Sequence, residues 1–148
     1  MEAILSFLYY VSPALTAVIF GGIVVNHFFV RKANLGGLVD RVCNCLDCLS
    51  NDCAEYWSVD FSTEKQHNLA VLEARIKAQV LQINAMVLLI NQKYGNVSSA
   101  TRGLILDLQD ACTGGDFESR QRKADIHRYM RAFSVIGRIS IALQRLKI

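Results

Sequence analysis

The chain has 148 residues, a formal net charge of +3 and an apolar fraction of 52%. That length suits one ordinary domain, and the absence of internal repeats and low-complexity tracts excludes a repeat protein or a largely disordered chain. There is a single proline, Pro13, and long stretches are rich in Leu, Ala, Gln, Arg and Lys. This composition favours an all-helical protein.

The first predicted element is a transmembrane anchor over residues 1–32. No Asp, Glu, Lys or Arg occurs from Ala3 to Val30, and about 20 apolar residues are enough to cross a bilayer. The span is predicted from Val11 to Val30, with Arg31 and Lys32 ending it at the interface. A cleaved signal peptide and a buried core helix are the alternatives. A cleaved signal peptide has a positively charged N-terminus and a shorter apolar stretch than this one. A buried core helix is seldom free of charged residues over so long a stretch.

The orientation of the anchor follows from the two cations behind it. Positive residues beside a membrane span remain on the cytoplasmic side. Arg31 and Lys32 therefore place the N-terminus outside and residues 33–148 in the cytosol. The protein is predicted to be a single-pass protein of the inner (cell) membrane.

Two helices are predicted at the start of the cytosolic domain. The first runs from about Leu35 to Trp57 and either continues the anchor or bends at Gly36-Gly37. The second begins with Ser62 as N-cap and ends near Tyr94, where Gly95-Asn96 is a typical stop signal.

The second helix has the clearest apolar pattern, at steps of three and four residues. Its predicted core residues are Leu69, Leu72, Ile76, Ile83, Val87 and Ile90. Part of this pattern repeats every seven residues, which suits an intramolecular bundle and an oligomer equally well. Glu73 and Lys77 are predicted to form an i,i+4 ion pair on another face.

Two more helices complete the predicted fold. The third begins at Ser98 or Ser99, carries Leu104, Ile105 and Leu108 on its apolar face, and stops at residues 113–115, Thr-Gly-Gly. The fourth begins after Asp116 and runs to the C-terminus. Because no segment alternates with period two, the fold class is all-α: an N-terminal transmembrane helix followed by a cytosolic bundle of three to four helices.

Charge is concentrated at the C-terminal end of this domain. From Asp116 to Ile148 there are eight Lys or Arg residues and three acids, which gives +5, while the other residues carry −2. A basic C-terminal segment indicates an anionic partner such as a nucleotide, a nucleic acid or lipid headgroups.

The fourth helix carries the candidate binding residues. Three arginines stand seven residues apart on one stripe, and the surrounding residues are mostly apolar, so the helix is predicted to be largely buried. Buried arginines need an anionic partner, and the planar guanidinium binds two phosphate oxygens at once. The candidate ligand-binding residues are Arg131, Arg138, His127, Arg120, Arg128 and Arg145.

Other interpretations of these cations remain open. In one alternative, the arginines of the stripe are solvated or form ion pairs with Asp107, Asp110 or Glu73. In another, they contact acidic lipid headgroups. The denser neighbouring cluster is predicted to face water. It comprises Arg120, Arg122, Lys123 and Arg128.

Five cysteines are present, four of them close together. The cluster of Cys43, Cys45, Cys48 and Cys53 suggests a zinc or iron–sulfur site, but its spacing matches no standard metal-binding knuckle. In a reducing cytosol these residues and Cys112 are ordinary small core residues.

No catalytic motif is present in the sequence. There is no phosphate-binding glycine loop, nucleophile elbow or metalloprotease histidine pair. The chain is therefore predicted not to be an enzyme, and no cofactor is predicted.

The anchor from Val11 to Val30 and the basic helical domain from Ala33 to Ile148 together resemble an architecture known from antiviral defence. It is that of the small single-pass membrane effectors of type III CRISPR systems, which sense cyclic oligoadenylate. The resemblance implies a homo-oligomer, with a tetramer favoured, in which the arginine stripes form a ring for a cyclic nucleotide and binding perturbs the membrane. The alternatives are an immunity or superinfection-exclusion protein, and a structural subunit or adaptor of a membrane complex, each binding a protein partner.

Overall fold

The computed structural model describes the backbone of residues 2–95 and 97–147, and the side chains of residues 22, 24–95 and 97–147. Over these residues the chain is helical without any strand, which confirms the predicted all-α class. The four α helices are α1 (Glu2–Trp57), α2 (Gln66–Tyr94), α3 (Ser99–Thr113) and α4 (Ile126–Gln144). Short 3₁₀ helices lie at Thr63–Lys65 and Arg145–Lys147.

The chain divides into two compact units, Met1–Gly36 and Gly37–Ile148. Helix α1 continues through Gly36-Gly37 without interruption. In the part of the chain that the structure describes, no helix is both long and apolar enough to cross a membrane. The predicted span from Val11 to Val30 lies largely outside the residues whose side chains are described.

The core of the second unit combines one apolar face from each helix. All six apolar residues predicted to face the core from the second helix are buried, which confirms that prediction. Helix α1 contributes buried residues at alternating steps of three and four, as expected for a helix in a bundle. They are Val39, Val42, Leu46, Leu49, Cys53 and Tyr56.

Most of the helix ends form as their sequence signals predict. Gly95 has a φ of +70° and donates its N–H to the carbonyl of Asn91 at 2.8 Å, which ends α2. Ser98 accepts a hydrogen bond from the N–H of Thr101 at 3.2 Å, which begins α3. Asn96, the second residue of the stop signal, lies outside the described residues.

The predicted N-cap of the second helix is wrong. Ser62 has an extended backbone but makes no capping hydrogen bond through its side chain. A 3₁₀ turn, Thr63–Lys65, follows it, so the regular α helix starts only at Gln66. Such 3₁₀ turns are frequent at the N-termini of α helices.

The predicted start of the fourth helix is also wrong, because α4 begins at Ile126 and not after Asp116. Asp125 is the actual N-cap, and its carboxylate accepts the N–H of Arg128 at 3.0 Å. Its own N–H donates to the carbonyl of Trp57 at 2.8 Å. Residues 114–125 therefore form a loop that the end of α1 holds in place.

Arg122 packs inside this loop, so the prediction that its cluster faces water is wrong for Arg122, although Arg120 and Lys123 of the same cluster are exposed. The side chain of Arg122 is only 2% exposed. One terminal nitrogen donates to the carbonyls of Tyr56 and Val59, both at 2.7 Å. The guanidinium carbon lies 4.1 Å from the centroid of the Tyr56 ring. Arg122 thus donates to one carbonyl in the last turn of α1 and to one just beyond it, and it packs on an aromatic face.

Tyr56 connects α1, α2 and the loop. Its hydroxyl donates to Glu73 at 2.8 Å and accepts the N–H of Glu118 at 3.0 Å. Lys77 forms an ion pair with Glu118, so the predicted pair between Glu73 and Lys77 is wrong. Glu73 instead accepts the hydroxyl of Tyr56 from α1, and Lys77 pairs with Glu118 of the loop.

This environment predicts an alkaline limb in the stability of the protein. Burial raises the pKa of Tyr56 to about 12, while an unfolded tyrosine has a pKa of about 10. The stabilisation from neutral Tyr56 is complete below about pH 10 and is lost as the pH rises towards about 12. We expect Tyr56→Phe to lower the unfolding free energy at pH 8 and to flatten its fall above pH 10, measured by urea denaturation. A parallel fall in both proteins would contradict the assignment.

Candidate functional site: the exposed face of helix α4

The predicted arginine stripe lies on the solvent side of α4. His127, Arg131 and Arg138 are exposed and follow one another at steps of four and seven residues, so they share one side of the helix. Arg145 continues the line into the terminal 3₁₀ turn and is exposed as well. The spacing of these four residues, by four and then by seven, therefore predicts correctly that they share one side of the helix.

The burial predicted for this stripe is wrong. The α4 residues that face the core occupy another side of the helix, and they are Ala132, Val135, Ile136, Ile139 and Leu143. Arg131 forms an ion pair of 2.8 Å with Asp110, and both side chains are more than half exposed. Such a surface pair contributes little stability. This is one of the pairings that the sequence left open.

The electrostatic character of this side is uniform. The sequence from Ile126 to Lys147 contains five Lys or Arg residues and no acid. Among the described residues, neither Arg138 nor Arg145 has an ion-pair partner. Lys147 pairs with Asp40 of α1. The two unpaired arginines make this side an attractive surface for an anion.

A line of large apolar side chains runs beside the basic one. It consists of Ile126, Met130, Phe133 and Ile141, each at least half exposed. The sequence assigned these residues to the core because the helix is apolar on most of its circumference. The core covers only one side of α4, so these side chains remain on the surface. Exposed apolar residues beside cations are typical of binding surfaces rather than of an inert solvent face.

Two candidate residues lie away from this face. Arg128 is partly buried. Its guanidinium carbon is 5.1 Å from the centroid of the Trp57 ring, and the group donates to the carbonyl of Asp110 at 3.3 Å. Arg120 is exposed in the loop of residues 114–125 rather than on α4. The structure therefore assigns Arg128 a packing role and separates Arg120 from the stripe.

A cavity of about 270 Å³ opens beside Trp57. Lys123 and Arg128 line it together with Asp116 and Asp125. Because two carboxylates face the two cations, the lining has no excess of positive charge. This cavity is therefore less suited to an anionic ligand than the open face of α4.

The cysteines are distributed over several surroundings. Cys53 and Cys112 are buried, and a hydrogen bond between them, with burial, raises the pKa of Cys53. Burial also raises the pKa of Cys45. Cys43 lies 3.5 Å from the hydroxyl of Ser140 on α4. Among the described residues, no group of three or more His, Cys, Asp or Glu side chains is arranged to hold a metal ion.

Comparisons with protein-family models, with curated proteins and with solved structures find no match to this chain.

Proposed function

We propose that this protein is a membrane-anchored effector of antiviral defence whose cytosolic bundle binds a phosphate-bearing, cyclic nucleotide signal. Two observations support this proposal. Helix α4 contains no Asp or Glu, and His127, Arg138 and Arg145 are exposed along one side. Arginine suits this ligand because its planar fork donates two parallel hydrogen bonds to a phosphate group.

Because the arginine stripe is exposed to solvent, a single stripe is expected to bind a ligand only weakly. A single exposed cation is hydrated and screened by salt, so one protomer contributes little binding energy. A symmetric assembly places several copies of the same residues around one ligand. A cyclic ligand with repeated phosphates matches such a ring, and the proposed tetramer supplies four stripes.

The proposed membrane role depends on the N-terminal sequence. The charge-free run from Ala3 to Val30 is long enough to span a bilayer, and Arg31 and Lys32 favour a cytosolic bundle. Ligand binding to the assembled bundles would rearrange the attached helices and perturb the membrane. Release of a dye from vesicles that contain the protein, on addition of the ligand, measures this step.

The binding step is tested with cyclic oligoadenylate and the full chain in nanodiscs. We expect saturable binding by calorimetry, and at least a tenfold rise in Kd for Arg138→Ala/Arg145→Ala, because each charge-assisted hydrogen bond contributes about 1.5–3 kcal/mol. Lys65→Ala/Arg102→Ala is the matched control, since it removes two exposed cations elsewhere. Absence of binding at millimolar ligand, or an equal loss in the control, would refute the proposal.

One observation favours a second candidate, a protein-docking role in immunity, superinfection exclusion or a membrane complex. Met130 and Phe133 are exposed beside the arginines, and free nucleotides offer such side chains less apolar surface than a protein does. In this case nucleotides give no thermal shift. Met130→Ser/Phe133→Ser would then abolish co-purification with the product of a neighbouring gene, while Val71→Ser would not.

A further inference from the structure

The cavity of about 270 Å³ beside Trp57 lies where three segments of the second unit meet. The end of α1 contributes Trp57, and the loop after α3 contributes Gly115 and Asp116. The rest of the lining comes from the start of α4 and the residues before it, namely Lys123, Ala124, Asp125 and Arg128. Pockets for drug-sized ligands have about 300–1,000 Å³, so this cavity suits a molecule of amino-acid size and is too small for a cyclic oligonucleotide.

Trp57 carries an unpaired polar group in the wall of this cavity. The residue is only 1% exposed, and among the described residues its indole N–H has no hydrogen-bond acceptor. An indole N–H can only donate, and a buried donor in a protein nearly always has a partner. An unpaired donor beside a cavity therefore indicates a bound molecule that brings an acceptor, such as a carboxylate oxygen.

The charged groups of the lining differ in how far the protein itself engages them. Asp125 is the N-cap of α4, with one carboxylate oxygen 3.0 Å from the backbone nitrogen of Arg128 and the other 3.9 Å from the Nε atom of the same residue. Asp116 and Lys123, in contrast, have no ion-pair partner in the part of the chain that the structure describes, and they do not pair with each other. The cavity thus presents one free carboxylate and one free ammonium group.

We propose that this cavity binds a small zwitterion of the α-amino-acid class. The ammonium group of the ligand pairs with Asp116, and its carboxylate accepts hydrogen bonds from Lys123 and Arg128. The N-terminus of α4 borders the cavity, and its dipole favours the same carboxylate. A purely anionic ligand would be repelled by Asp116, and a purely cationic one by Lys123 and Arg128, so a molecule with both charges fits this lining best.

The position of Trp57 provides a direct assay, because it is the only tryptophan of the chain. The full chain in nanodiscs is titrated with each non-aromatic L-amino acid while the tryptophan emission is recorded, and calorimetry repeats each titration to detect binding that leaves the emission unchanged. We expect saturable binding of at least one amino acid. Its N-acetyl form and its amide should each bind at least tenfold more weakly, because each lacks one of the two charges.

Two variants assign the charges of the ligand to their partners. In Asp116→Asn the amino acid should bind at least tenfold more weakly, and the preference over its N-acetyl form should disappear. In Lys123→Gln the same loss is expected, and the preference over the amide should fall. Glu64→Gln/Lys65→Gln is the matched control with an unchanged Kd, because it removes one exposed carboxylate and one exposed ammonium group outside the cavity. Circular dichroism checks that each variant is folded.

Three results would each overturn the proposal. They are the absence of binding by every amino acid at millimolar concentration, equal binding of the N-acetyl form or the amide, and an equal loss of affinity in the control variant. Neither Arg138 nor Arg145 lines the cavity. Failure of amino-acid binding therefore leaves the proposed nucleotide binding intact, and the converse also holds.

Discussion

Replacement of Arg122 by alanine is expected to lower the unfolding free energy by about 3–5 kcal/mol, among the largest effects of any single substitution in this chain. The side chain is almost fully buried and donates to the carbonyls of Tyr56 and Val59. Its removal leaves two acceptors unpaired and removes the stacking on the Tyr56 ring. Chemical denaturation at pH 7 measures the loss.

Two variants separate the hydrogen bonds of Arg122 from its volume. Arg122→Lys keeps a donor within reach of the carbonyls but loses the planar stack, so its cost should be about half that of alanine. Arg122→Met fills the space without any donor and should cost nearly as much as alanine. Arg120→Ala, at an exposed position of the same loop, should change the free energy by less than about 0.5 kcal/mol. Equal costs for Arg122→Ala and Arg120→Ala would contradict the buried role.

Substitution of Gly115 by alanine is expected to cost about 2–3 kcal/mol, for two reasons that add. Gly115 has a φ of +61°, in the left-handed region where a side chain costs roughly 1–2 kcal/mol. A Cβ atom would also lie 2.4 Å from a terminal nitrogen of Arg128. The guanidinium would have to shift, which weakens its contact with the Trp57 ring and its hydrogen bond to the carbonyl of Asp110. Thermal denaturation of the purified variants provides the measurement.

Gly95 is the matched control for this substitution. It has a φ of +70°, but its Cβ would meet no atom within 4 Å, so Gly95→Ala should cost only the backbone term. In an Arg128→Ala background, Gly115→Ala should cost the same as Gly95→Ala, because the clash is gone. If Gly115→Ala and Gly95→Ala cost the same with Arg128 present, the packing role of Arg128 would be wrong.

The candidate site illustrates how far spacing alone can place side chains. Steps of four and seven residues on a helix assign His127, Arg131 and Arg138 to one side whatever surrounds the helix. Whether that side faces the core or the solvent depends on the tertiary packing. Helix α4 has apolar residues on two sides, and the other helices cover only one of them. Helix α4 offered more apolar surface than the bundle could bury, so the sequence suggested burial all round.

The same ambiguity affects α2 in the opposite way. Its inner apolar pattern was recognised from Leu69, Ile76 and Ile83, and the bundle buries it. A second line of exposed apolar residues on the opposite side follows the same spacing, and its three alanines give a weaker pattern than the inner one. Its members are Val71, Ala74, Ala78, Leu81, Ala85 and Leu88. Only the structure shows that Val71, Leu81 and Leu88 on this opposite side stay exposed.

Local chemistry in the sequence determined the helical class, the limits of α3 and the end of α2, because caps, glycines and helical periodicity act between residues a few positions apart. The sequence also determined the uneven charge and the order of the arginines along α4. Only the tertiary structure decided that Arg122 is buried, that α4 starts at Ile126 behind the N-cap Asp125, and that Tyr56 bridges Glu73 and Glu118. These features depend on contacts between segments more than 15 residues apart, whose free energies exceed the local preferences that a sequence pattern records.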